Sequence, residues 1–402
     1  MNLEEVLALR RAFNSVKERQ RRNKMDDFEE RKERLKDVRK LCVGNDTLVR
    51  EAIAKLENNG ITVYLAKEKQ EAIEIIHEEI GTERLVVKSK SNVTKEIELT
   101  KTLEASGIEV IETDIGDRIL QLLNLKPSHP TGPISHVSAE EIVKRFSQNG
   151  VEIGNSSEEI VKFIRADVVH NLHRSRIGIT GANAITAEEG SITIAHNEGN
   201  IFEVMRNEKQ IVVTSVDKIY PTIEDAMNML KVLAYNATGS IIPSFVEVIS
   251  GVSKTADVEK KFFKGVHNPN EISLILIDNK RSEIANSEFK ELLYCIGCGN
   301  CLIHCPMYNA IGNDFAKDNY LGGRGLVYNA LSNGEDEKLD YCLSCGKCRA
   351  SCPLEIDVPG IVRKMRDKGI PHEVYCILKS HAIWAYYTMM IKGANWNIVK
   401  RN

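Results

Sequence analysis

Eight of the ten cysteines in this 402-residue chain fall into two short segments with identical spacing. The segments are YCIGCGNCLIHCP (294–306) and YCLSCGKCRASCP (341–353). Each contains three cysteines two residues apart, then a fourth after a three-residue spacer and before a proline. In such a run three thiolates can hold three corners of one iron–sulfur cubane, while the fourth cysteine ligates the other cubane. The spacing therefore predicts two [4Fe–4S] clusters with crossed ligation.

The crossed pattern gives one ligand set to each cluster. Cluster one takes Cys295, Cys298, Cys301 and Cys352, and cluster two takes Cys342, Cys345, Cys348 and Cys305. Structural zinc is the alternative, but it is usually held by two separated pairs of ligands, which these runs fit poorly. Clusters that share segments in this way must lie close together, which predicts one-electron relay. The lone residues Cys42 and Cys376 are predicted to be buried packing thiols.

Two lysines lie at and directly after the end of a strand-like run, RLVVKS (84–89). Lys88, Ser89 and Lys90 precede a helix that is predicted to begin near Ser91. Ammonium groups beside a helix N-terminus attract an anion such as a carboxylate or phosphate. The alternative is a pair of surface lysines at a sheet edge.

A second candidate region is GITGANAITAEEGSITIAHNEGN (178–200). It offers a glycine-rich turn, side-chain donors and acids, which are Gly178, Gly181, Thr180, Asn183, Glu188 and Glu189. Backbone N–H groups in such a turn can cradle a phosphate or carboxylate. The alternative is a set of tight strand connections that need positive φ angles.

Histidines and aspartates complete the candidates. His129 and His136 flank a proline-rich loop, where a histidine could abstract a hydroxyl proton or could simply bond to the backbone. Asp114 and Asp117 could hold a metal, orient a base or cap the next helix. The predicted substrate or cofactor pocket comprises Lys88, Ser89, Lys90, His129, Thr180, Gly181, Asn183 and Glu188.

The elements that must position these residues alternate between strand and helix from about residue 45 to 282. Six apolar, β-branched runs predict strands: ITVYLA (61–66), RLVVKS (84–89), EVIETD (109–114), SITIAH (191–196), QIVVTSV (210–216) and ISLILID (272–278). Capping-box patterns at Ser138 with Glu141, and at Ser156 with Glu159, predict two helix starts. The alternation predicts an α/β domain with a largely parallel sheet, whose ligands bind beyond the carboxyl ends of the strands.

Four regions are predicted along the chain: a charged N-terminal helical region (1–44), the α/β domain (45–282), a mostly α-helical twin-cluster domain (283–368) and an aromatic C-terminal tail (369–402). Residues 17–40 mix both signs of charge and predict one exposed helix with i,i+4 pairs. The alternative is a nucleic-acid-binding arm, because lysine and arginine are in excess in this segment. The tail predicts a helix packed on its own protein, a docking surface for a partner or a membrane-surface helix.

Composition narrows the class of protein. The hydrophobic fraction of 42% and charged fraction of 28% are typical of a soluble globular chain. The net charge of −3 gives no reason to expect nucleic acid as a partner. The N-terminus does not read as a secretory signal, and clustered cysteines suit a reducing compartment, so we expect a cytoplasmic protein. Membrane association is expected only through a partner or the tail.

Several segments occur together in one known family. They are KSKSNVTKEI (88–97), ETDIGDRILQL (112–122), KPSHPTGPISH (126–136), GITGANAITAEEG (178–190), DKIYPTIEDA (217–226) and the doubled cysteine motif. From about residue 20 to 368 the chain resembles the LUD-domain iron–sulfur subunit of lactate-utilisation complexes. The resemblance implies an α/β LUD domain, NagB/RpiA/CoA-transferase-like in fold, fused to a twin [4Fe–4S] ferredoxin-like module. It also implies a cysteine-rich subunit and a second LUD subunit as partners, which jointly oxidise L-lactate to pyruvate.

The sequence thus predicts an electron-transfer subunit of a complex that oxidises a 2-hydroxy acid and passes electrons to a redox partner protein. A 2-hydroxy acid loses two electrons together, so a two-electron cofactor such as flavin is normally needed, in a partner or in an unrecognised pocket. No G-x-G-x-x-G follows a strand in this chain. The alternatives are a subunit of a heterodisulfide-type or other respiratory oxidoreductase, a self-contained LUD-fold enzyme on a phosphorylated or CoA-linked substrate, and a redox-sensing interaction protein.

Overall fold

The computed structural model describes residues 1–335 and 337–366. The aromatic tail at 369–402, with Cys376, lies outside the described residues, so the three hypotheses for the tail stay predictions. Within the described part of the chain, no helix is both long and apolar enough to cross a bilayer.

The described residues contain seventeen α-helices, numbered in chain order. They are α1 (Leu3–Arg22), α2 (Phe28–Cys42), α3 (Asp46–Asn58), α4 (Lys69–Ile80), α5 (Asn92–Glu96), α6 (Leu99–Ala105), α7 (Ile115–Leu122), α8 (Ala139–Gln148), α9 (Ser157–Leu172), α10 (Asn200–Met205), α11 (Ile223–Thr238), α12 (Arg281–Ala285), α13 (Asn300–Ile303), α14 (Pro306–Ile311), α15 (Gly322–Asn333), α16 (Lys347–Ser351) and α17 (Val358–Arg366).

The same residues contain fourteen β-strands. They are β1 (Thr62–Ala66), β2 (Leu85–Lys88), β3 (Glu109–Glu112), β4 (Ile177–Thr180), β5 (Ala184–Thr186), β6 (Ser191–His196), β7 (Lys209–Ser215), β8 (Ile219–Tyr220), β9 (Phe245–Ile249), β10 (Lys254–Thr255), β11 (Phe263–Lys264), β12 (Glu271–Ile277), β13 (Ala316–Lys317) and β14 (Tyr320–Leu321).

Six strands form a sheet in the order β1–β12–β7–β4–β2–β3, and every neighbouring pair is parallel. The inner strands β7 and β12 are buried almost throughout, because helices cover both faces of a parallel sheet. Along β12, Leu274 and Leu276 pack with α3, whereas Ile275 and Ile277 pack with α4 and α6. All six carboxyl ends meet along one side, which we call the carboxyl edge.

A second, mixed sheet has the order β8–β5–β6–β9. Its β5–β8 pair is parallel, and its other two pairs are antiparallel. Ile185 and Ile192 of this sheet share a core with Leu274 and Leu276 of the main sheet. The second sheet therefore packs on one face of the parallel sheet.

The N-terminal helices link the sheet domain to the cysteine segments. Phe13 of α1 and Leu35 of α2 belong to one core with Leu230 of α11 and with Ile303 and Tyr308 of the cysteine-bearing region. A single continuous core therefore joins both parts of the chain.

Most local predictions are confirmed. The six predicted strands are β1, β2, β3, β6, β7 and β12. Ser138 and Ser156 cap α8 and α9, and each side chain accepts a hydrogen bond from a backbone N–H three residues on. The spacer between the cysteine segments is helical in α14 and α15, with one short antiparallel pair, β13–β14. Cys42 is buried in a core, as predicted.

The prediction of one exposed helix over residues 17–40 is wrong. Helix α1 ends at Arg22, and α2 begins at Phe28. Arg39 is 1% exposed, because its guanidinium donates hydrogen bonds to the backbone carbonyls of Asp217, Leu293 and Tyr294. The charge pattern concealed this role, which depends on carbonyls far away in the sequence.

The glycine-rich turn predicted at Gly178 and Gly181 is also wrong. Gly178 lies inside β4, and neither glycine has a positive φ angle. A Cβ on Gly178 would lie 2.1 Å from the backbone oxygen of Val204, and one on Gly181 would lie 2.7 Å from Ser91 Oγ. These glycines permit close packing of the neighbouring segments on β4.

Candidate iron–sulfur site and its junction with the sheet

Two adjoining clefts lie between the cysteine segments. The first cleft, of about 410 Å³, is lined by Cys295, Cys298, Cys301, Cys348 and Cys352. The second cleft, of about 490 Å³, is lined by Cys301, Cys305, Cys342, Cys345 and Cys348. Each cleft thus contains every cysteine of one predicted ligand set, three from one segment and the fourth from the other. This arrangement of soft thiolate ligands fits a pair of [4Fe–4S] clusters.

The local backbone explains the position of the fourth cysteine in the first segment. Cys305 is the N-cap of α14, and Pro306 takes the first helical position, where its missing N–H costs nothing. The backbone N–H of Tyr308 donates to Cys305 Sγ at 3.5 Å, and that of Gly297 donates to Cys295 Sγ at 3.4 Å. Hydrogen bonds to sulfur of this kind help to set the reduction potential of a cluster.

The two cysteine segments have different surroundings. A Cβ on Gly299 would lie 2.3 Å from His129 Nε2, whereas the same position on Gly346 meets no described atom within 4 Å. Cys298 is buried, and its counterpart Cys345 is exposed. Within the described part of the chain, the first segment therefore faces the sheet domain and the second faces outward.

His129 fixes the sheet domain against the first cysteine segment. Its Nδ1 accepts from the backbone N–H groups of Thr131 and Gly132, both at 3.3 Å, so the proton lies on Nε2. Nε2 donates to the backbone oxygen of Gly299 at 3.3 Å. The side chain is 4% exposed, and burial lowers its pKa to about 4. Because both ring nitrogens are engaged, this geometry does not suit the general base considered from the sequence.

Hydrogen bonds and ring contacts also hold the rest of the proline-rich loop in place. Tyr308 Oη donates to the backbone oxygen of Ser128 at 2.7 Å. The ring of Phe13 lies 5.5 Å from that of His129 and 6.4 Å from that of Tyr308. His136 Nδ1 lies 2.9 Å from Ser128 Oγ. Both histidines therefore have structural contacts with the loop.

Three lysines at the carboxyl edge are paired with carboxylates. The Nζ–O distances are 2.8 Å for Lys88 and Glu112, 3.2 Å for Lys90 and Asp114, and 2.6 Å for Lys95 and Asp117. Lys88 is 1% exposed, so it is not the surface residue of the alternative interpretation. Burial raises the pKa of Glu112 despite the neighbouring ammonium. An anion would have to compete with these carboxylates.

Other predicted pocket residues separate into two places. Ser89, Thr180 and Gly181 lie at or just beyond the carboxyl ends of β2 and β4. Ser89 Oγ is buried without a hydrogen-bond partner among the described residues, and Thr180 Oγ1 accepts from Gln210 at 3.0 Å.

The remaining two predicted residues belong to the second sheet. Asn183 Oδ1 accepts from the backbone N–H of Ala195 at 2.8 Å. Glu188 is exposed in the β5–β6 turn, which packs on the end of α3 through Asn59. Among the described residues, neither Asn183 nor Glu188 forms a side-chain hydrogen bond or ion pair with Lys88 or His129.

Arg324 is a site residue that the sequence analysis missed. Its side chain lines both clefts, and its guanidinium lies 5.2 Å from the ring centroid of Tyr328. Arg324 Nε is buried and has no hydrogen-bond partner among the described residues. In the sequence it is the one arginine between the two cysteine segments, and this position could have marked it as a candidate site residue.

A buried ionic network connects the carboxyl edge to the cysteine-bearing region. Arg281 contacts Asp217 at 2.6 Å and Glu96 at 2.7 Å, and Arg39 lies 3.7 Å from Asp217. Burial opposes ionisation of Asp217, but Arg281 and Arg39 outweigh it and lower its pKa to about 2. The guanidinium of Arg281 also lies 5.0 Å from the ring centroid of Tyr328.

A parallel-sheet α/β domain packed on a module with paired cysteine clefts defines a two-cluster iron–sulfur protein. The family model for the LUD domain matches residues 49–277, and that for the 4Fe-4S dicluster domain matches residues 291–356. The chain belongs to the LUD-domain family and carries two [4Fe–4S] clusters. The predictions of family, fold class and cofactors are thereby confirmed.

Curated relatives include Lactate utilization protein B of Bacillus cytotoxicus and of Bacillus cereus strain AH820. Each is 33% identical over 314 residues, which cover 77% of this chain and 64% of the relative. The chain thus matches less than two thirds of the length of these relatives. Among solved structures, a DUF162 family protein from Deinococcus radiodurans is 14% identical with a TM-score of 0.32, covering 58% of this chain and 97% of that one.

Proposed function

We propose that this chain is the electron-transfer subunit of a complex that oxidises a 2-hydroxy acid, with L-lactate as the first candidate. The observation that carries the proposal is the contact between the clefts, because Cys301 and Cys348 line both of them. Clusters held in adjoining clefts supply one-electron relay over a short distance. The relatives named Lactate utilization protein B support lactate as the substrate of the complex.

We assign the ligands as the crossed sets predicted from the spacing. The first cleft would hold its cluster through Cys295, Cys298, Cys301 and Cys352, and the second through Cys342, Cys345, Cys348 and Cys305. Cys301 and Cys348 lie where the clefts meet, so the two clusters would be separated by little more than these side chains.

The electron count calls for a two-electron cofactor between the substrate and the clusters. Oxidation of L-lactate to pyruvate releases two protons and two electrons together, whereas a cluster accepts one electron. A flavin that divides the electron pair is therefore proposed, either in a partner, namely the cysteine-rich subunit or the second LUD subunit, or in an unrecognised pocket of this chain. A complex of this kind is proposed to work in the cytoplasm.

The junction between the two parts of the chain suggests where electrons enter. His129 bonds to Gly299, and a Cβ on Gly297 would lie 3.8 Å from Asn92 Nδ2 at the carboxyl edge. These contacts hold the first cysteine segment against the edge where ligands of parallel α/β domains usually bind. The chain's own residues would thus hold the first cluster on the side of its module that contacts the LUD domain.

Two alternative functions share part of this proposal. A heterodisulfide-type complex would use the same relay with a different electron donor. A self-contained enzyme for phosphorylated or CoA-linked substrates would need anion-binding groups at the carboxyl edge, where Lys88, Lys90 and Lys95 are already paired. The relay is therefore the better supported function.

The test is anaerobic purification of the chain with its native partners, followed by EPR after addition of L-lactate. D-lactate is the matched control, because it has the same composition and charge. A spin signal from two coupled clusters with L-lactate and none with D-lactate is the expected result. If the clusters are present but no hydroxy acid reduces them, lactate is the wrong donor. If reduction needs a co-purified protein, the oxidation site lies in that protein.

A further inference from the structure

Three cationic side chains gather beside the second cysteine segment. Lys17 and Arg21 are four residues apart on α1 and so lie on the same face of that helix. Lys347 is the first residue of α16 and directly precedes Cys348. Burial lowers the pKa of Lys17, and the positive charges of Arg21 and Lys347 lower it further. We call Lys17, Arg21 and Lys347 the basic patch.

Hydrogen bonds made by Gln20 show which elements lie beside the end of α1 that carries Lys17 and Arg21. Gln20 of α1 donates to Asn300 Oδ1 at 3.3 Å, and Asn300 Nδ2 donates to the backbone oxygen of Ser351 at 2.7 Å. The end of α1 thus lies beside α13 and α16. Lys347 directly precedes Cys348, which lines both clefts, so the basic patch borders the second cleft.

The basic patch is not neutralised by the chain itself. Among the described residues, Lys17, Arg21 and Lys347 form no ion pair, whereas the neighbouring helix α2 pairs Lys36 with Glu355 and Arg34 with Asp225. The chain as a whole carries a net charge of −3, so the patch is a local reversal of sign. A concentration of one sign of charge steers partners of the opposite sign.

The patch also lies where an external carrier could reach a cluster. Cys345 of the second cleft is exposed, and a side chain added at Gly346 would meet no described atom within 4 Å. The equivalent positions of the first segment, Cys298 and Gly299, are covered by the sheet domain. Electrons that enter at the first cluster would therefore leave at the second.

We propose that Lys17, Arg21 and Lys347 dock the acidic face of an electron-carrier protein that takes electrons from the second cluster. The inference rests on the proposed relay function and adds to it the chemistry of the acceptor. Association steered by charge can be about 10- to 1,000-fold faster than neutral association at low salt. It weakens when the Debye length falls to about 8 Å at physiological ionic strength.

The experiment compares two acceptors that differ in charge but share a fold and a haem. The photoreduced chain is mixed in a stopped-flow instrument with succinylated cytochrome c, which is acidic, or with unmodified cytochrome c, which is basic. One electron leaves one reduced cluster and converts one ferric haem to ferrous haem. At low salt we expect the acidic acceptor to react about tenfold faster or more, and the difference to vanish at high salt.

Two triple variants separate the patch from the overall charge. Lys17→Glu, Arg21→Glu and Lys347→Glu together should reverse the preference between the acceptors. The control combines Lys69→Glu, Lys162→Glu and Arg165→Glu, which make the same charge change at exposed positions on α4 and α9 and should keep the preference. Iron content and the EPR spectrum must match the parent chain. If the patch variant does not load iron, the inference is still tested by how the rates of the two acceptors with the parent chain depend on salt.

Several outcomes would overturn the inference. If both acceptors oxidise the clusters at equal rates, or the control variant changes the preference as much as the patch variant, the relay stands and the docking surface is wrong. If neither acceptor oxidises reduced clusters, the relay itself fails and the docking surface fails with it. A single-stranded oligonucleotide that binds the parent chain but not the patch variant, without any acceptor preference, would assign the patch to nucleic acid.

Discussion

Arg324 of α15 lines both clefts, and no carboxylate pairs with it among the described residues. Each cluster becomes more negative when it gains an electron, so a fixed positive charge beside both clefts favours the reduced forms. The planar guanidinium can also donate to sulfur through the unpartnered Nε. A single side chain can therefore raise both reduction potentials.

Arg324→Gln is expected to lower both midpoint potentials. We expect a decrease of about tenfold in each reduction equilibrium, which is about 59 mV for a one-electron couple. The measurement is a redox titration followed by EPR. Arg363→Gln is the control, because Arg363 is exposed on α17 and the charge change is the same. Unchanged potentials in Arg324→Gln would refute this role, and Arg324→Lys should restore part of the shift.

The lowered pKa of His129 predicts that the contact between the proline-rich loop and the first cysteine segment weakens at low pH. Its pKa is about 4 in the folded chain, below the ordinary 6.5, so the closed loop is fully stabilised above pH 6.5 and loses that stability as pH falls toward 4. The loss is at most about 1.4 kcal/mol per pH unit. Amide hydrogen exchange of residues 126–136, corrected for intrinsic rates, should rise across this window. In His129→Gln, whose amide can still donate to Gly299 but cannot titrate, the rise should be clearly smaller, and the remainder is assigned to His136, whose pKa burial also lowers; an equal rise would disprove the assignment.

Among the elements, the carboxyl edge depends on the register between β2 and β3, which places Lys88 beside Glu112. Both side chains are buried, so each needs the other. Breaking a buried pair by removing one partner typically costs about 3–5 kcal/mol, because an uncompensated charge stays buried. Replacing both partners by apolar residues is much less costly.

Lys88→Met should therefore lower the urea midpoint of the chain strongly, and Lys88→Met with Glu112→Leu should recover much of the loss. Far-UV circular dichroism gives the midpoints. Lys101→Met is the control, because Lys101 and Glu98 form an exposed pair and little change is expected. A double variant less stable than Lys88→Met would mean that the pair has a further role at this edge.

At the scale of the whole molecule, the network around Asp217 joins the sheet to the cysteine-bearing region. Arg39 reaches from Asp217 to the carbonyls of Leu293 and Tyr294, directly before Cys295. Arg281 links Asp217 to Glu96. The two parts of the chain should therefore lose their structure together.

Asp217→Asn is expected to uncouple the two parts, because it leaves Arg39 and Arg281 with less negative charge. On heating, loss of cluster absorbance and loss of far-UV circular dichroism should coincide in the parent chain and separate in the variant. Asp318→Asn is the control, since it removes an exposed contact with Lys126 that also joins the two parts. Coincident transitions in Asp217→Asn would show that the apolar core alone couples them.

The sequence by itself determined the local features. β-branched runs specified six strands, serine caps specified two helix starts, and cysteine spacing specified two clusters, because all of these depend on neighbours along the chain. Strand β4 was missed because IGIT is short and contains Gly178, whose reason for being glycine is the distant Val204.

Only the tertiary structure decided which partners the charged and polar residues have. It paired Lys88 with Glu112, engaged both nitrogens of His129, buried Arg39 and placed Arg324 between the clefts. It also turned one cysteine segment inward and the other outward, although their spacing is the same. Burial and electrostatic fields depend on groups that are far apart in the sequence, so residue type and spacing do not determine them.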